Sequence, residues 1–401
     1  MIMKENNIQI QDSSKRGKAN CKLLVVISFI TVIAIVAGVF WGLSSRQSEN
    51  GVNIGNEGDP TIIPDLQHAV DSLLNAELTE INGLQGQVIV MEVQTGQLLA
   101  MSGLERDKEG KFIPCKNFAY QQELGSLTKT ASVLALLKER VDTTYVIHTG
   151  AGIWEIEDGW YLRDHNWRRG GYMDINLSRA LEVSSNIGVG YPVWKFYKED
   201  ENKFFEDLDE MSFGQPDFIE GIEGLKPTSY ISPKDSNWID KEIIWSAIGY
   251  NRKIAPIQML TFYNAIANDG KMVKPTQKTG EIEIINPQIA SKSNIKTMQT
   301  ILEHVFSQGL GKKAGSPFFR VAGKTGTSIV NEYDNNEESG EPFREYQVAF
   351  CGYFPADKPK YSMIVSMNKM GLPASGGGMA GVLFHNITEW MTSHDMPKIS
   401  L

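Results

Sequence analysis

Three cysteines in 401 residues are too few for a disulfide framework. Cys21 lies ahead of a long apolar run, which leaves Cys115 and Cys351, and the sequence leaves a bridge between them open. The six histidines (His68, His148, His165, His304, His385, His394) show no metal-ligand spacing with one another or with the cysteines, which argues against metal catalysis. Basic excess is also missing. Against 39 Lys and Arg stand 48 Asp and Glu, a net charge of −9, so no surface is supplied for a nucleic-acid partner. No internal repeat is present.

Charge is absent from one segment altogether. Leu23–Leu43 (LLVVISFITVIAIVAGVFWGL) holds no ionisable side chain. At ~1.5 Å per residue it is long enough to cross a ~30 Å hydrocarbon layer. Lys4, Lys15, Arg16, Lys18 and Lys22 precede it, against Glu5 and Asp12. The positive-inside rule then predicts a cytoplasmic tail at 1–22, a single transmembrane helix at 23–43 and the rest of the chain outside. A cleaved secretory signal is the alternative, but the run is long and no Ala-x-Ala site closes it. Residues 44–62, rich in Ser, Asn, Gly and Glu, read as a flexible tether.

Beyond the tether, Pro64–Ile81 places Leu66, Val70, Leu73, Leu74 and Leu78 at helical spacing. Gln87–Val93 and Leu98–Met101 flank Gln94-Thr95-Gly96-Gln97, a hairpin pattern. Ser126–Arg140 lacks Pro and Gly and is apolar on most sides, which predicts a buried helix. A mainly helical stretch rich in Trp and Tyr follows. Three strand-like runs come late: Phe319–Val330, Gln347–Phe354 and Tyr361–Asn368. Between the first two, Asn331–Tyr346 reads as an acidic, solvated connection. Strands at both ends with helices between predict an α/β (α+β) fold: an antiparallel sheet made by the two chain ends, flanked by helices, plus an all-helical lobe.

Three short patterns carry chemistry: Ser126-Leu127-Thr128-Lys129, Ser184-Ser185-Asn186 and Lys324-Thr325-Gly326-Thr327. A serine hydroxyl is a poor nucleophile at neutral pH and needs a base. Each pattern alone is weak, because Ser-x-x-Lys recurs at Ser293–Lys296 and Ser366–Lys369, Ser-x-Asn at Ser48–Asn50 and Ser366–Asn368, and Lys-Thr-Gly at Lys278–Gly280. Geometry chooses among them. Residues three apart meet on a helix and diverge on a strand, which disfavours Ser366–Lys369. Ser293 opens a polar segment where serine is more simply a helix cap. Lys278-Thr279-Gly280 runs into Glu281, whereas Lys324-Thr325-Gly326 is followed by the hydroxyls of Thr327 and Ser328, on a run suited to a sheet edge.

In this order the three patterns are the set shared by class A β-lactamases and penicillin-binding proteins. The segments IIPDLQHAV, GQVIVMEVQTGQLLAM, FGQPDF, WSAIGYNRKIAPIQMLTFYNAIANDGKMVKP and RVAGKTGTS with AFCGYFPADKPKYSMIV extend the likeness over about Ile63–Met391. The chain resembles the transpeptidase domain of class B penicillin-binding proteins, here in a short form with only a tether where the family usually has a pedestal domain. It departs also at Leu124, where the family usually has proline. The resemblance implies a transpeptidase domain at 63–401 on a single-pass inner-membrane anchor, acting outside the cytoplasm on D-Ala-D-Ala stem peptides of peptidoglycan. It implies no cofactor and no metal, β-lactam antibiotics as inhibitors, and a place in a cell-wall synthesis complex.

By resemblance, Ser126 is the nucleophile and Lys129 its base, kept neutral by burial and by the Lys324 cation. Ser184 relays a proton, Asn186 orients Lys129 and the substrate amide, and Thr325, Gly326 and Thr327 bind the terminal carboxylate. The backbone N–H groups of Ser126 and Thr327 form the oxyanion hole. A D,D-carboxypeptidase, a β-lactam-hydrolysing or -sensing relative, and a catalytically silent envelope scaffold are the alternatives. Glu199-Asp200-Glu201-Asn202 matches the β-lactamase glutamate pattern but lies in a polar acidic run close behind Asn186, and is read as coincidence.

Overall fold

The computed structural model describes residues 61–394, apart from 158, 240, 281, 313–314, 316–319 and 334–342. Leu23–Leu43, Ser48–Asn50 and most of the tether lie outside the described residues. Among those described, no helix is long and apolar enough to cross a membrane. The folded part begins by Thr61, whose Oγ1 donates to the Leu98 carbonyl at 2.8 Å.

Helix α1 (Pro64–Glu80) opens on a proline at its first turn and buries Leu66, Val70, Leu74 and Leu78 on one stripe. Strands β1 (Gly83–Glu92) and β2 (Leu98–Arg106) form the expected hairpin, and β3 (Phe112–Pro114) adds to it. The chain returns to this sheet only near its end, as β4 (Ala322–Tyr333), β5 (Phe343–Phe354) and β6 (Tyr361–Met370). The order is β4-β5-β6-β1-β2-β3, antiparallel throughout, so the two chain ends are joined at β6–β1 and β4 is an edge.

Register fixes which side chains share a face. Lys324, Cys351, Ile364, Ile89 and Met101 stand opposite one another across five strands. The neighbouring row, Thr325, Phe350, Val365, Val88 and Ser102, therefore points the other way. Phe350 packs on Phe384 of α9 (Gly381–Ser393), ring centroids 4.6 Å apart, beside α1. On the opposite face lies α7 (Pro256–Ala267), every residue of it buried, with Ser362 Oγ donating to Asn264 Oδ1 at 2.7 Å. The sheet is thus covered on both faces. Each fully buried Leu or Ile here contributes about 1.5–3 kcal/mol.

The middle of the chain supplies α2 (Lys129–Lys138), α3 (Leu177–Glu182), α4 (Asn186–Tyr197), α5 (Glu201–Glu210), α6 (Glu242–Ile248) and, after α7, α8 (Lys292–Ser307). It is not all helical. Val146–Gly150 pairs with Met173–Asn176, and Ile153–Glu157 with Trp160–Arg163, as two small antiparallel ribbons. The connection expected at Asn331–Tyr346 is shorter at both ends: Asn331–Tyr333 and Phe343–Tyr346 belong to the strands, and Glu345 is buried, accepting from Asn331 and Asn368 at 2.7 Å each. Cys115 and Cys351 are both free thiols.

Candidate active site

The nucleophile candidate is set by a tight turn. Gly125–Leu127 form a 3-10 turn ahead of α2, so Ser126 lies in that turn and Lys129 is the first α-helical residue. Gly125 holds φ +53°, a region open to glycine at little cost. Tyr263 of α7 pins the turn by donating to the Leu127 carbonyl at 2.9 Å while receiving the Thr130 hydroxyl at 2.6 Å. The sheet edge meets this turn at Gly326: a Cβ there would stand 2.7 Å from the Leu124 carbonyl and 3.1 Å from Leu127 Cγ. Lys-Thr-Gly therefore needs its glycine because the serine turn rests on it. Leu124, the residue in place of the expected proline, is buried at this contact.

Beneath the turn lie two fully buried lysines. Lys129 Nζ donates to Asn186 Oδ1 at 2.6 Å and to the Ser184 carbonyl at 2.8 Å, with Ser184 Oγ at 3.5 Å. Lys324 Nζ donates to Ser184 Oγ at 2.8 Å and to the Thr325 carbonyl at 2.9 Å. Ser184 stands at φ +57° at the end of α3, strained for a residue with a Cβ and held by its surroundings. Among the described residues Ser126 Oγ has no hydrogen-bond partner, and Lys129 spends its hydrogen bonds on Ser184 and Asn186.

Burial lowers the Lys129 pKa to about 7, with the nearby Asp164 carboxylate acting in the opposite sense. Lys324 is pushed well below the usual lysine range by burial and then by Lys129. Burial and the Lys324 cation were both expected to lower Lys129; burial does so, while the effect of the neighbouring lysine falls on Lys324.

Asp164 had no signal in the sequence. It is fully buried and sits at the start of α4, accepting from Ser185 Oγ at 2.9 and 2.8 Å, from Asn186 N at 2.6 Å and from Ile187 N at 3.1 Å. A carboxylate at a helix N-terminus receives free N–H groups and the positive end of the helix dipole. Ser185, by capping Gly188 N at 2.7 Å, closes the same turn.

Ser126, Ser184, Asn186, Thr325 and Thr327 line one cleft of about 360 Å³, with Lys129 and Lys324 beneath through their bonds to Ser184 and Asn186. The structure thus brings all three patterns together, and their duplicates elsewhere. Ser293–Lys296 lies within α8, whose cap is Ser291, two residues earlier than expected. Lys278 pairs with Glu220 at 2.6 Å, and Lys369 Nζ is spent on the Met370 and Gly371 carbonyls. Glu199 is exposed beside Lys198, and Glu201 receives the Trp238 indole; neither lines the cleft. Among the described residues no cluster of His, Cys, Asp or Glu could hold a metal ion.

Sequence reasoning also missed His165, Arg169 and the Ser375-Gly376-Gly377 segment, which complete the cleft walls. The glycines were a signal: a Cβ on Gly376 would meet the Gly326 carbonyl at 2.2 Å, and its N–H donates to Thr327 Oγ1 at 3.0 Å.

Several known proteins are similar to this chain. Penicillin-binding protein PbpB of Mycolicibacterium smegmatis is 24% identical, covering 91% of this chain and 60% of that protein. PbpB of Mycobacterium tuberculosis is 23% identical, covering 85% and 53%, and stage V sporulation protein D of Bacillus subtilis 26%, covering 75% and 48%. The chain thus spans about half the length of these relatives. The transpeptidase domain of Burkholderia pseudomallei penicillin-binding protein 3 shares the fold, with a TM-score of 0.69 at 24% identity, covering 86% of this chain and 99% of that one. The family described as penicillin binding protein transpeptidase domain matches residues 86–389, about three-quarters of the chain, and the chain belongs to it.

Proposed function

We propose that the chain is a serine-type peptidoglycan D,D-transpeptidase. The observation that carries this is the buried pair Lys129 and Lys324, both hydrogen-bonded to Ser184 and floored beneath the cleft that Ser126 lines. With a pKa near 7, Lys129 is substantially neutral at physiological pH and able to accept a proton. Ser126 Oγ attacks the carbonyl carbon between the two D-alanines while its proton passes to Lys129. The C–N bond then breaks, and the departing D-alanine amine takes a proton through Ser184, held by Lys324. The Ser126 ester is next attacked by an amine of a second stem peptide, which forms the cross-link and frees the hydroxyl.

Thr325 and Thr327 take the terminal carboxylate at the sheet edge, and Asn186 orients the donor peptide's amide. The backbone N–H groups of Ser126 and Thr327 are assigned the oxyanion, each worth roughly 2.7–4 kcal/mol. Among the described residues no Asp or Glu lines the cleft. None of the described carboxylates is therefore placed to activate water, and a penicillin that acylates Ser126 is expected to stay there. We further infer that Leu23–Leu43 anchors the chain, with residues 1–22 inside, 44–62 as tether and the 63–401 domain outside the cytoplasm.

The test is direct. The full-length chain is incubated with a fluorescent penicillin and digested, and the labelled peptide is located. Label on the Ser126 peptide, lost in Ser126→Ala with little change in thermal stability, is the expected result. Label on any other peptide overturns the assignment.

A further inference from the structure

The cleft has one wall from the sheet edge and another from the helical side. Arg169 is the only permanently ionised side chain among the described lining residues. Behind the walls lie the buried amines of Lys129 and Lys324, both with lowered pKa, and the buried carboxylate of Asp164. Arg169 has no side-chain hydrogen bond or ion pair with any described residue. A guanidinium without a partner inside a cleft is a grip for a planar anion.

Its backbone is fixed. Arg169 ends the short turn Trp167–Arg169, its N–H donating to the Asn166 carbonyl at 2.7 Å. Gly171 follows, and a Cβ there would stand 2.2 Å from the backbone of Ala151, so the loop is packed against its neighbour. Beside it, Tyr172 Oη and His165 Nε2 are 2.9 Å apart, which tethers the His165 ring at the cleft. Burial, then the neighbouring Lys129, lower the His165 pKa, which disfavours the charged ring.

Resting on the transpeptidase reading, we propose that Arg169 and the Tyr172-tethered His165 form a second carboxylate subsite. It takes a free carboxylate carried by the residue that precedes D-Ala-D-Ala in the donor stem peptide. The terminal carboxylate is assigned to Thr325 and Thr327 on the sheet wall, so it does not occupy Arg169 on the helical wall. A donor lying extended along β4 presents its amide to Asn186, and its next residue lies about 3.3 Å further along the same wall. Asn186 Nδ2 donates to the Arg163 carbonyl at 2.8 Å, which ties this wall to the segment that carries His165 and Arg169. The subsite selects stem peptides with an unblocked carboxylate over those in which it is amidated.

The test uses the full-length chain and two synthetic peptides ending in D-Ala-D-Ala. They are identical except that the preceding residue carries a carboxylate in one and its primary amide in the other. Each is measured for how far it slows labelling of Ser126 by a fluorescent penicillin. In the wild type the acid is expected to compete about tenfold better, equivalent to about 1.4 kcal/mol. The ratio is expected to fall to within about twofold in Arg169→Gln and to recover in part in Arg169→Lys. Because the ratio is taken within one protein, a general loss of labelling does not mimic this result. An acid that competes no better than its amide in the wild type, or a ratio that Arg169→Gln leaves intact, overturns the subsite alone. Absence of Ser126 labelling in the wild type overturns the transpeptidase reading instead.

Discussion

Replacing Asp164 by Asn separates its structural role from its electrostatic one. The carboxylate is buried and accepts the Ser185 hydroxyl and the N–H groups of Asn186 and Ile187. Asn keeps the shape and one acceptor but loses the charge and turns the other oxygen into a donor facing Ser185. Charge-assisted hydrogen bonds are worth about 1.5–3 kcal/mol and the helix-terminus charge about 0.3–1 kcal/mol, so a stability loss of roughly 2–4 kcal/mol is expected. The second effect has a definite sign. A negative charge stabilises protonated Lys129, so removing it lowers the Lys129 pKa further below about 7. A unit charge acting across roughly 5–8 Å at an effective dielectric of about 20 is worth about 2–3 kcal/mol. At about 1.4 kcal/mol per unit, the acid limb of acylation should move down by one to two pH units. The assay is the rate constant for penicillin acylation of Ser126 across pH 5–9, beside a thermal melt. A limb that stays in place or moves up, in a variant that still folds, refutes the claim that Asp164 tunes Lys129.

Two further outcomes follow from buried contacts. Gly326→Ala places a methyl 2.7 Å from the Leu124 carbonyl, so it should cost about 1–3 kcal/mol and displace the Ser126 turn, read as a slowed acylation rate and a lowered melting temperature. For Lys129, the folded-state pKa near 7 lies below the unfolded value, so the unfolded chain binds the extra proton and stability rises with pH between about 7 and 10.4. Relative to Lys129→Met, the wild type should gain about 2 kcal/mol of unfolding free energy between pH 7 and pH 9; parallel pH dependences in denaturant titrations would sink the linkage.

Much of the sheet was legible because its signals are local. The hairpin, the late strands and the edge position of Lys324-Thr325-Gly326 follow from alternation and turn residues, and β4 is the edge. For the first pattern, helical spacing put the start of the buried helix within reach of the sequence, but Ser126 lies in the 3-10 turn before α2 and Lys129 Nζ bonds Ser184 and Asn186 instead of the Ser126 hydroxyl. The middle of the chain was not readable in the same way. Residues 146–176 fold as two small ribbons of four- to five-residue strands that are mostly exposed, with Ile147, Thr149 and Leu162 buried, too short to stand out by period. Asp164 reaches Ser185 and Asn186 only because the second ribbon turns back on the start of α4, a contact that spans 21 residues and leaves no pattern. Arg169 is hidden for the same reason. Ser184 looked like an ordinary helix-end serine, and its left-handed backbone, which turns its carbonyl toward Lys129, shows only in three dimensions.

The two lysines bring these threads together. A lysine is an effective base at neutral pH only when the protein makes its charged form unfavourable, and that costs stability. The fold concentrates the cost in one place. Lys129 enters at the first turn of a helix buried along nine successive residues, and Lys324 enters from the inward-facing row of the sheet edge. Both find oxygen acceptors: the carbonyls of Ser184 and Thr325, Ser184 Oγ and Asn186 Oδ1. Those acceptors satisfy the N–H groups without supplying a full negative charge, so the amines are solvated yet still reluctant to be protonated. A carboxylate in direct contact would restore a permanent ammonium and remove the proposed base. Asp164 stands one layer back, bonded to the backbone that carries Ser184 and Asn186, and so holds the geometry while leaving Lys129 near neutrality.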